Sequence, residues 1–190
     1  MRIVLCGVGA LGSTAALLCR SLPATLRLVD FDRVESKNLA AQAFVRQSLG
    51  RNKAEALKLQ LWNGWGVQAE ALGVRVVDAN VAEVCAGAGL VVDAFDNRAG
   101  RELLAGYARV AGLPLVHAAL AGDGRFGLVR WDERFVADGE EHGGQATCEG
   151  GEHLPFIGLL AAALARTIQD FVVDGTRRDA VVSLSGVRTF

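Results

Sequence analysis

Three glycines in the stretch VLCGVGALGS, Gly7, Gly9 and Gly12, stand between an apolar run and an alanine-rich one, and they constrain the fold more than any other feature. In a strand–turn–helix the first such glycine permits the tight bend, the second lets backbone approach a phosphate, and the third lets helix and strand pack closely. The helix after the turn then offers its unpaired N–H groups to an anion. Asp30 ends the next apolar run 18 residues after Gly12, close to the roughly 20-residue spacing of a carboxylate that accepts ribose hydroxyls. These features suit any adenine nucleotide. A dinucleotide such as NAD and a nucleoside triphosphate being cut both remain open, and packing alone is the plainer use of the glycines.

Short β-branched runs alternate with helix-like segments along the first half. Strands are expected at Arg2–Cys6, Leu26–Phe31, Val74–Asp78 and Leu90–Asp93, with helices at Ala10–Ser21, Asn52–Asn63, Val81–Ala86 and Ala99–Ala111. Such alternation predicts parallel strands joined by right-handed crossovers. Beyond Leu113, LPLVHAAL and GDGRFGLVRW read as two strands around a turn, so antiparallel pairing is added there. Residues 132–152, rich in acidic side chains and glycine pairs, read as a solvated, flexible loop. A helix is expected from about Pro155 to Val173, then a last strand in AVVSLSGV. The fold class is α/β: a Rossmann-like, mostly parallel sheet flanked by helices, with antiparallel strands in the C-terminal part. The length, 190 residues with 51% hydrophobic side chains, suits one domain over residues 1–190.

A formal charge of −1 supplies no field to draw in nucleic acid or anionic lipid. Four cysteines, Cys6, Cys19, Cys85 and Cys148, form no CxxC pair, so a structural zinc site has no support. The first three sit in apolar segments and read as reduced, buried thiols, which suits a cytoplasm. The N-terminal run has the composition of a signal peptide, but its glycine spacing fits a strand and turn better. The apolar run Leu154 to Ala165 is too short to span a bilayer before Arg166.

The stretch that separates the two nucleotide chemistries is LVDFDRVESKNLAAQAFVRQSLGRNKAEAL, residues 28–57. A nicotinamide enzyme needs one acid at the end of the second strand. Here Asp30 and Asp32 are followed by Asn38, Leu39, Gln42, Gly50 and Lys53. This stretch resembles the ThiF/MoeB/HesA family, the ubiquitin-activating-like adenylyltransferases, whose pattern is D-x-D-x-V, an N-L-x-R-Q block and G-x-x-K. VVDAFDNRAGRELL is similar to that family's D-x-x-D-N-x-x-x-R and places Asp93, Asp96, Asn97 and Arg101. PLVHAALAGDGRFGLV is similar to its later strand pair.

The resemblance implies ATP with Mg²⁺, and a reaction in which a carrier's terminal carboxylate attacks the α-phosphorus. Gly7, Gly9, Ala10 and Gly12 would cradle phosphate, and Asp30, with Asp32 beside it, would hold the ribose. Lys53 would lie on the phosphates as a point charge. Asp96, next to Asn97, would hold magnesium, which favours one or two carboxylates plus phosphates. Asn38 and Gln42 would add neutral hydrogen bonds. Lys53 begins a helix-like segment, where a cation is unfavourable unless an anion is present. One position departs from the pattern: the arginine of N-L-x-R-Q is Ala41 here. Arg46, five residues on, is the candidate to reach the same phosphates.

Relatives that form thioesters or persulfides carry a cysteine before a G…P-x-(apolar) helix stretch, and QATCEGGEHLPFIGLL looks like that segment. It makes Cys148 the candidate for a second step, with His142 and His153 flanking it. His117, inside an apolar strand, reads as a hydrogen-bonded core residue. The helix after Cys148 is apolar on nearly every face, the mark of burial in the core or against another subunit. The resemblance implies a homodimer, and a partner that is a ubiquitin-like or sulfur-carrier protein ending in Gly-Gly.

Overall fold

The run IVLC is fully apolar, as befits a strand covered on both faces, and it forms the middle of the five parallel strands. The computed structural model of the chain describes residues 1–121, 124–135 and 153–190. Among these the strands are β1 (Arg2–Cys6), β2 (Thr25–Val29), β3 (Ala69–Leu72), β4 (Leu90–Asp93), β5 (Leu115–Leu120), β6 (Phe126–Trp131), β7 (Ala180–Ser183) and β8 (Gly186–Thr189). The helices are α1 (Ala10–Leu18), α2 (Lys53–Trp65), α3 (Val81–Val84), α4 (Arg98–Ala111) and α5 (Leu154–Asp174). The described strands make one eight-stranded sheet in the order β3-β2-β1-β4-β5-β6-β7-β8. Pairing is parallel from β3 to β5 and antiparallel from β5 to β8, as the change of pattern after Leu113 predicts.

Successive residues of β1 point to opposite faces. Ile3 and Leu5 join the core under α1, α2 and α5, whereas Val4 and Cys6 join the core under α3 and α4. The chain leaves β1 toward β2 on one side and returns to β4 on the other. Such a switch point opens a crevice at the carboxyl ends of the strands, where ligands of open α/β sheets bind.

Two sequence expectations are corrected. Val74–Asp78 is not a strand; the edge strand is Ala69–Leu72, and Val74 and Val77 are exposed. AVVSLSGV is not one strand but the greater part of a hairpin, turning between Ser183 and Gly186. The helix α5 buries one stripe, including Phe156, Ile157, Leu160, Ala161, Leu164 and Ile168, at the 3–4 spacing of a one-sided helix. Leu154, Leu159 and Val173 are exposed, so burial is not all-round. Its 21 residues are long and apolar enough to cross a bilayer, yet the buried stripe belongs to the core shared with α1 and the sheet. Of the 132–152 loop, Asp132–Arg134 form a 3-10 turn, and residues 136–152 lie outside the described residues.

Candidate active site

The three glycines do three different things. Gly7 has φ +87°, and a Cβ there would lie 2.7 Å from the Ala94 carbonyl oxygen. A Cβ on Gly12 would lie 1.9 Å from the Gly7 carbonyl oxygen. Both are required by the protein's own backbone. A Cβ on Gly9 would meet nothing within 4 Å, so no internal contact explains that glycine. Gly9 caps α1 without a side chain, which leaves the first-turn N–H groups of Ala10 and its neighbours for an external acceptor.

Asp30, just past β2, locks this turn. Its Oδ2 accepts the Val8 N–H at 2.9 Å and its Oδ1 the Asp32 N–H at 2.9 Å. Burial pushes its carboxyl up from the usual range, opposed by those two N–H groups and by the nearby charge of Lys53. Lys53 is itself buried, and its Nζ lies 3.1 Å from Asp32 Oδ2, on a half-exposed side chain. The α2 helix that carries it is fixed by Asn52, which sequence reading passed over. Asn52 Oδ1 accepts the Glu55 N–H at 3.2 Å, while its amide donates to the carbonyls of Asp30 and Asp32 at 2.8 and 3.1 Å. An Asn before a helix with Glu at the third helical position is a readable N-terminal signal.

Residues 36–44 form the neighbouring wall. Asn38 is buried in a 3-10 turn, Ser36–Ala40, and its Oδ1 accepts the Glu35 N–H at 2.8 Å. The side-chain carbonyl of Asn38 is thus spent on a local cap. Ser13 Oγ, in the first turn of α1, accepts the Ala43 N–H at 3.0 Å and ties this wall to the glycine turn. Gln42 Oε1, between them in the chain, is buried and has no hydrogen-bond partner, a state that normally marks a ligand or water contact. Ala41 is 2% exposed and packs in the core. Arg46 is exposed on a separate 3-10 turn, Arg46–Ser48. No hydrogen bond or ion pair among the described residues joins it to Asp30, Asp32 or Lys53.

The turn after β4 is the third wall. Asp93 is fully buried and its Oδ1 accepts the Phe95 N–H at 2.9 Å. Arg101 donates to Asp93 Oδ2 at 3.3 Å, to the Ala118 carbonyl at 2.9 Å and to the Phe95 carbonyl. Asn97 caps α4, accepting the Gly100 N–H at 2.8 Å. Asp96 lies between these anchors and is exposed. Because Gly7 abuts Ala94 and Phe95, the turn that carries Asp96 borders the glycine turn. Among the described residues no group of three or more His, Cys, Asp or Glu is placed to hold a metal. A lone exposed carboxylate suits magnesium, which takes its remaining ligands from phosphate and water.

Burial pushes the thiols of Cys6 well up, of Cys19 to about 12 and of Cys85 to about 11. Thiolate is the reactive form. Iodoacetamide at neutral pH should therefore leave all three unmodified in the native protein, as peptide mass mapping would record. Cys148 and His142 lie outside the described residues. His117 is fully buried and hydrogen-bonded, as the sequence reading expects.

The profile of the ThiF family matches residues 1–166. The chain belongs to the ThiF family. This ThiF-family chain is 38% identical over 122 residues to the SAMP-activating enzyme E1 of Haloferax volcanii, covering 63% of itself and 45% of that protein. It is 31% identical over 170 residues to the adenylyltransferase and sulfurtransferase UBA4 of Meyerozyma guilliermondii, covering 84% of itself and 40% of that protein. It is 30% identical over 127 residues to the sulfur carrier protein ThiS adenylyltransferase of Bacillus subtilis, 64% of itself and 38% of that protein. It spans less than half the length of these curated relatives. Among solved structures, E. coli MccB with ATP overlays the whole chain at a TM-score of 0.77, with 16% identity and 62% of MccB covered. MccB with MccA-N7isoASN gives 0.79, 18% and 63%. At such identities the likeness establishes the fold.

Proposed function

We propose that this chain is an ATP-dependent adenylyltransferase, a single nucleotide-binding unit over residues 1–190 that activates the Gly-Gly terminus of a ubiquitin-like or sulfur-carrier protein in the cytoplasm. The observation that carries the reading is Gly9. Its missing Cβ faces open space beside an uncapped helix start, with Asp30 and Lys53 at the next strand end and Asp96 on the adjoining turn. The relatives' names, SAMP-activating enzyme and ThiS adenylyltransferase, support the same chemistry.

In this reading the carrier's carboxylate oxygen forms a bond to the α-phosphorus of ATP as the bond to the pyrophosphate oxygen breaks. The products are an acyl-adenylate and pyrophosphate. Asp96 would hold magnesium, which when bound would supply positive charge beside the phosphates. Asp30 keeps its two backbone donors and accepts ribose hydroxyls with its remaining lone pairs. Lys53 Nζ, 3.1 Å from Asp32 Oδ2, would turn to the phosphates, so the protein supplies a cation that is already largely desolvated. Gln42 contributes the buried oxygen that has no internal donor. The family resemblance would give a second step to Cys148. Its thiolate sulfur would form a bond to the acyl carbon of the adenylate as the bond to AMP breaks, leaving a thioester and AMP. Cys6, Cys19 and Cys85 are buried with raised pKa values and are poor alternatives. The exposed Leu154, Leu159 and Val173 on α5 are candidates for the homodimer contact.

Incubation with ATP, labelled pyrophosphate and a Gly-Gly carrier should return label to ATP. ATP binding without exchange across several carriers would instead favour a catalytically weak partner subunit. The burial of Ala41 where the family pattern has arginine favours that second reading. Loss of a guanidinium from a phosphoryl-transfer site costs about 10³–10⁵ in rate where it acts as a finger. Binding of NAD in preference to ATP would sink both readings.

A further inference from the structure

Both ring nitrogens of His117 face carboxylates. Nδ1 lies 2.8 Å from Asp93 Oδ2, and Nε2 lies 3.1 Å from Asp132 Oδ1. The side chains of His117 and Asp93 are fully buried, and that of Asp132 is 10% exposed. A carboxylate only accepts, and a neutral imidazole donates once. With both carboxyls ionised, both contacts are hydrogen bonds only when both nitrogens carry protons. Phe135 stacks on the ring with centroids 3.9 Å apart and fixes its plane.

The other titratable and charged groups around this pair come from every neighbouring element. Arg101 and Arg109 reach in from α4, the first on Asp93 and the second bidentate on Asp132 at 2.6 and 2.9 Å. Cys6 on β1 is the register partner of Asp93, and Arg130 on β6 is that of His117. Asp93 in turn holds the Phe95 N–H, and Arg101 bridges Asp93 to the carbonyls of Phe95 and Ala118. Anything that moves the Asp93 carboxylate therefore moves the turn that carries Asp96.

We propose that His117, donating from both nitrogens, is a positioning residue: it clamps Asp93 against Asp132 and so sets the 94–97 turn on which Asp96 meets the nucleotide. The catalytic consequence rests on the adenylylation reading; the positioning does not. Without the second proton, one carboxylate faces a ring nitrogen lone pair, and the clamp opens on that side. Asp132→Asn replaces the facing oxygen with an amide donor. A ring that keeps only the Nδ1 proton then satisfies both neighbours, while Arg109, largely exposed, loses its bond to the replaced atom and keeps the one to the remaining oxygen.

Nitrogen NMR of the whole ligand-free chain tests this. Wild type should show both His117 nitrogens protonated at the pH of the activity assay, and Asp132→Asn should show Nδ1 alone. His117→Phe keeps the stack and the volume but removes both donors. It should shift the backbone amides of Phe95, Asp96 and Asn97 and raise KM for MgATP about 10–100-fold, the usual size for losing a group that orients a metal-holding side chain. Asp132→Asn should leave those amides and KM near wild type. A singly protonated ring in wild type, or a folded His117→Phe with the three amides unmoved, overturns the proposal. If His117→Phe does not fold, Asp132→Ala decides, since it removes one of the two clamped carboxylates. The three amides should shift, and amides that stay at their wild-type positions overturn the proposal. Failure of pyrophosphate exchange in wild type would count against the adenylylation reading alone, since the amide shifts need no nucleotide.

Discussion

Replacing Lys53 with alanine is expected to lower pyrophosphate exchange about 10²–10³-fold, the range for removing one preorganised electrostatic group from an active site. Lys53 is a buried cation at the first residue of α2, where the helix dipole disfavours it. Its internal partner, Asp32, is half-exposed, and a pair open to solvent on one side contributes about 1 kcal/mol or less. The side chain is therefore held where its own fold gains little from it, which is the arrangement expected of a group kept for an anion. The melting temperature should move little while exchange collapses. Lys53→Arg should recover only part of the rate, because a planar fork does not replace a compact ammonium at the end of a flexible stem. Exchange unchanged in the alanine variant would falsify the assignment of Lys53 to the phosphates.

The glycines give the second large effect, a separation of stability from binding. In Gly12→Ala the new methyl would overlap the Gly7 carbonyl oxygen, 1.9 Å away. Backbone on both sides of the turn must shift, at a cost of about 3 kcal/mol or more. For a chain of this size that corresponds to a melting temperature lower by roughly 6–12 °C. In Gly9→Ala the methyl meets nothing within 4 Å, so the ligand-free protein should melt near the wild-type temperature. Its ATP affinity should nonetheless fall at least about tenfold, because the methyl occupies the space assigned to a phosphate. Calorimetry with and without MgATP reads both effects. A Gly9→Ala protein that binds ATP as wild type does would place the phosphates elsewhere.

The inner parallel strands β1, β2 and β4 were legible because each carries two signals, an apolar run and a polar or glycine-bearing turn at its end. Gly7 to Gly12 and Asp30 stand at strand ends that the sequence pattern alone locates. The edge of the sheet was not legible in this way. Val74, Val76 and Val77 have the β-branched composition of a strand, but Ala69–Leu72, with no β-branched residue, pairs with β2 instead. Edge strands are chosen by pairing geometry and partial burial more than by propensity. The Ser183–Gly186 turn carried its own signal in SLSG, which an apolar reading of AVVSLSGV overrode. Asp30, Asp32 and Lys53, grouped by the family resemblance, lie together, whereas Arg46 has no hydrogen bond or ion pair with them among the described residues. The Asp93–His117–Asp132 contact was beyond sequence reading. It arises from three different elements, and only the sheet register brings them to one face.

A sheet that is parallel on one side and antiparallel on the other distributes evolutionary freedom unevenly. Parallel strands all end at the same rim, so each of their loops is within reach of one ligand; antiparallel strands alternate, and half of their loops point away. Every residue assigned here to the nucleotide comes from positions 7–97, ahead of the first antiparallel strand pair of the sheet. The β6–β8 region can therefore drift, lengthen or acquire new recognition surfaces while the parallel half of the molecule keeps its chemistry, provided that Asp132 stays beside His117.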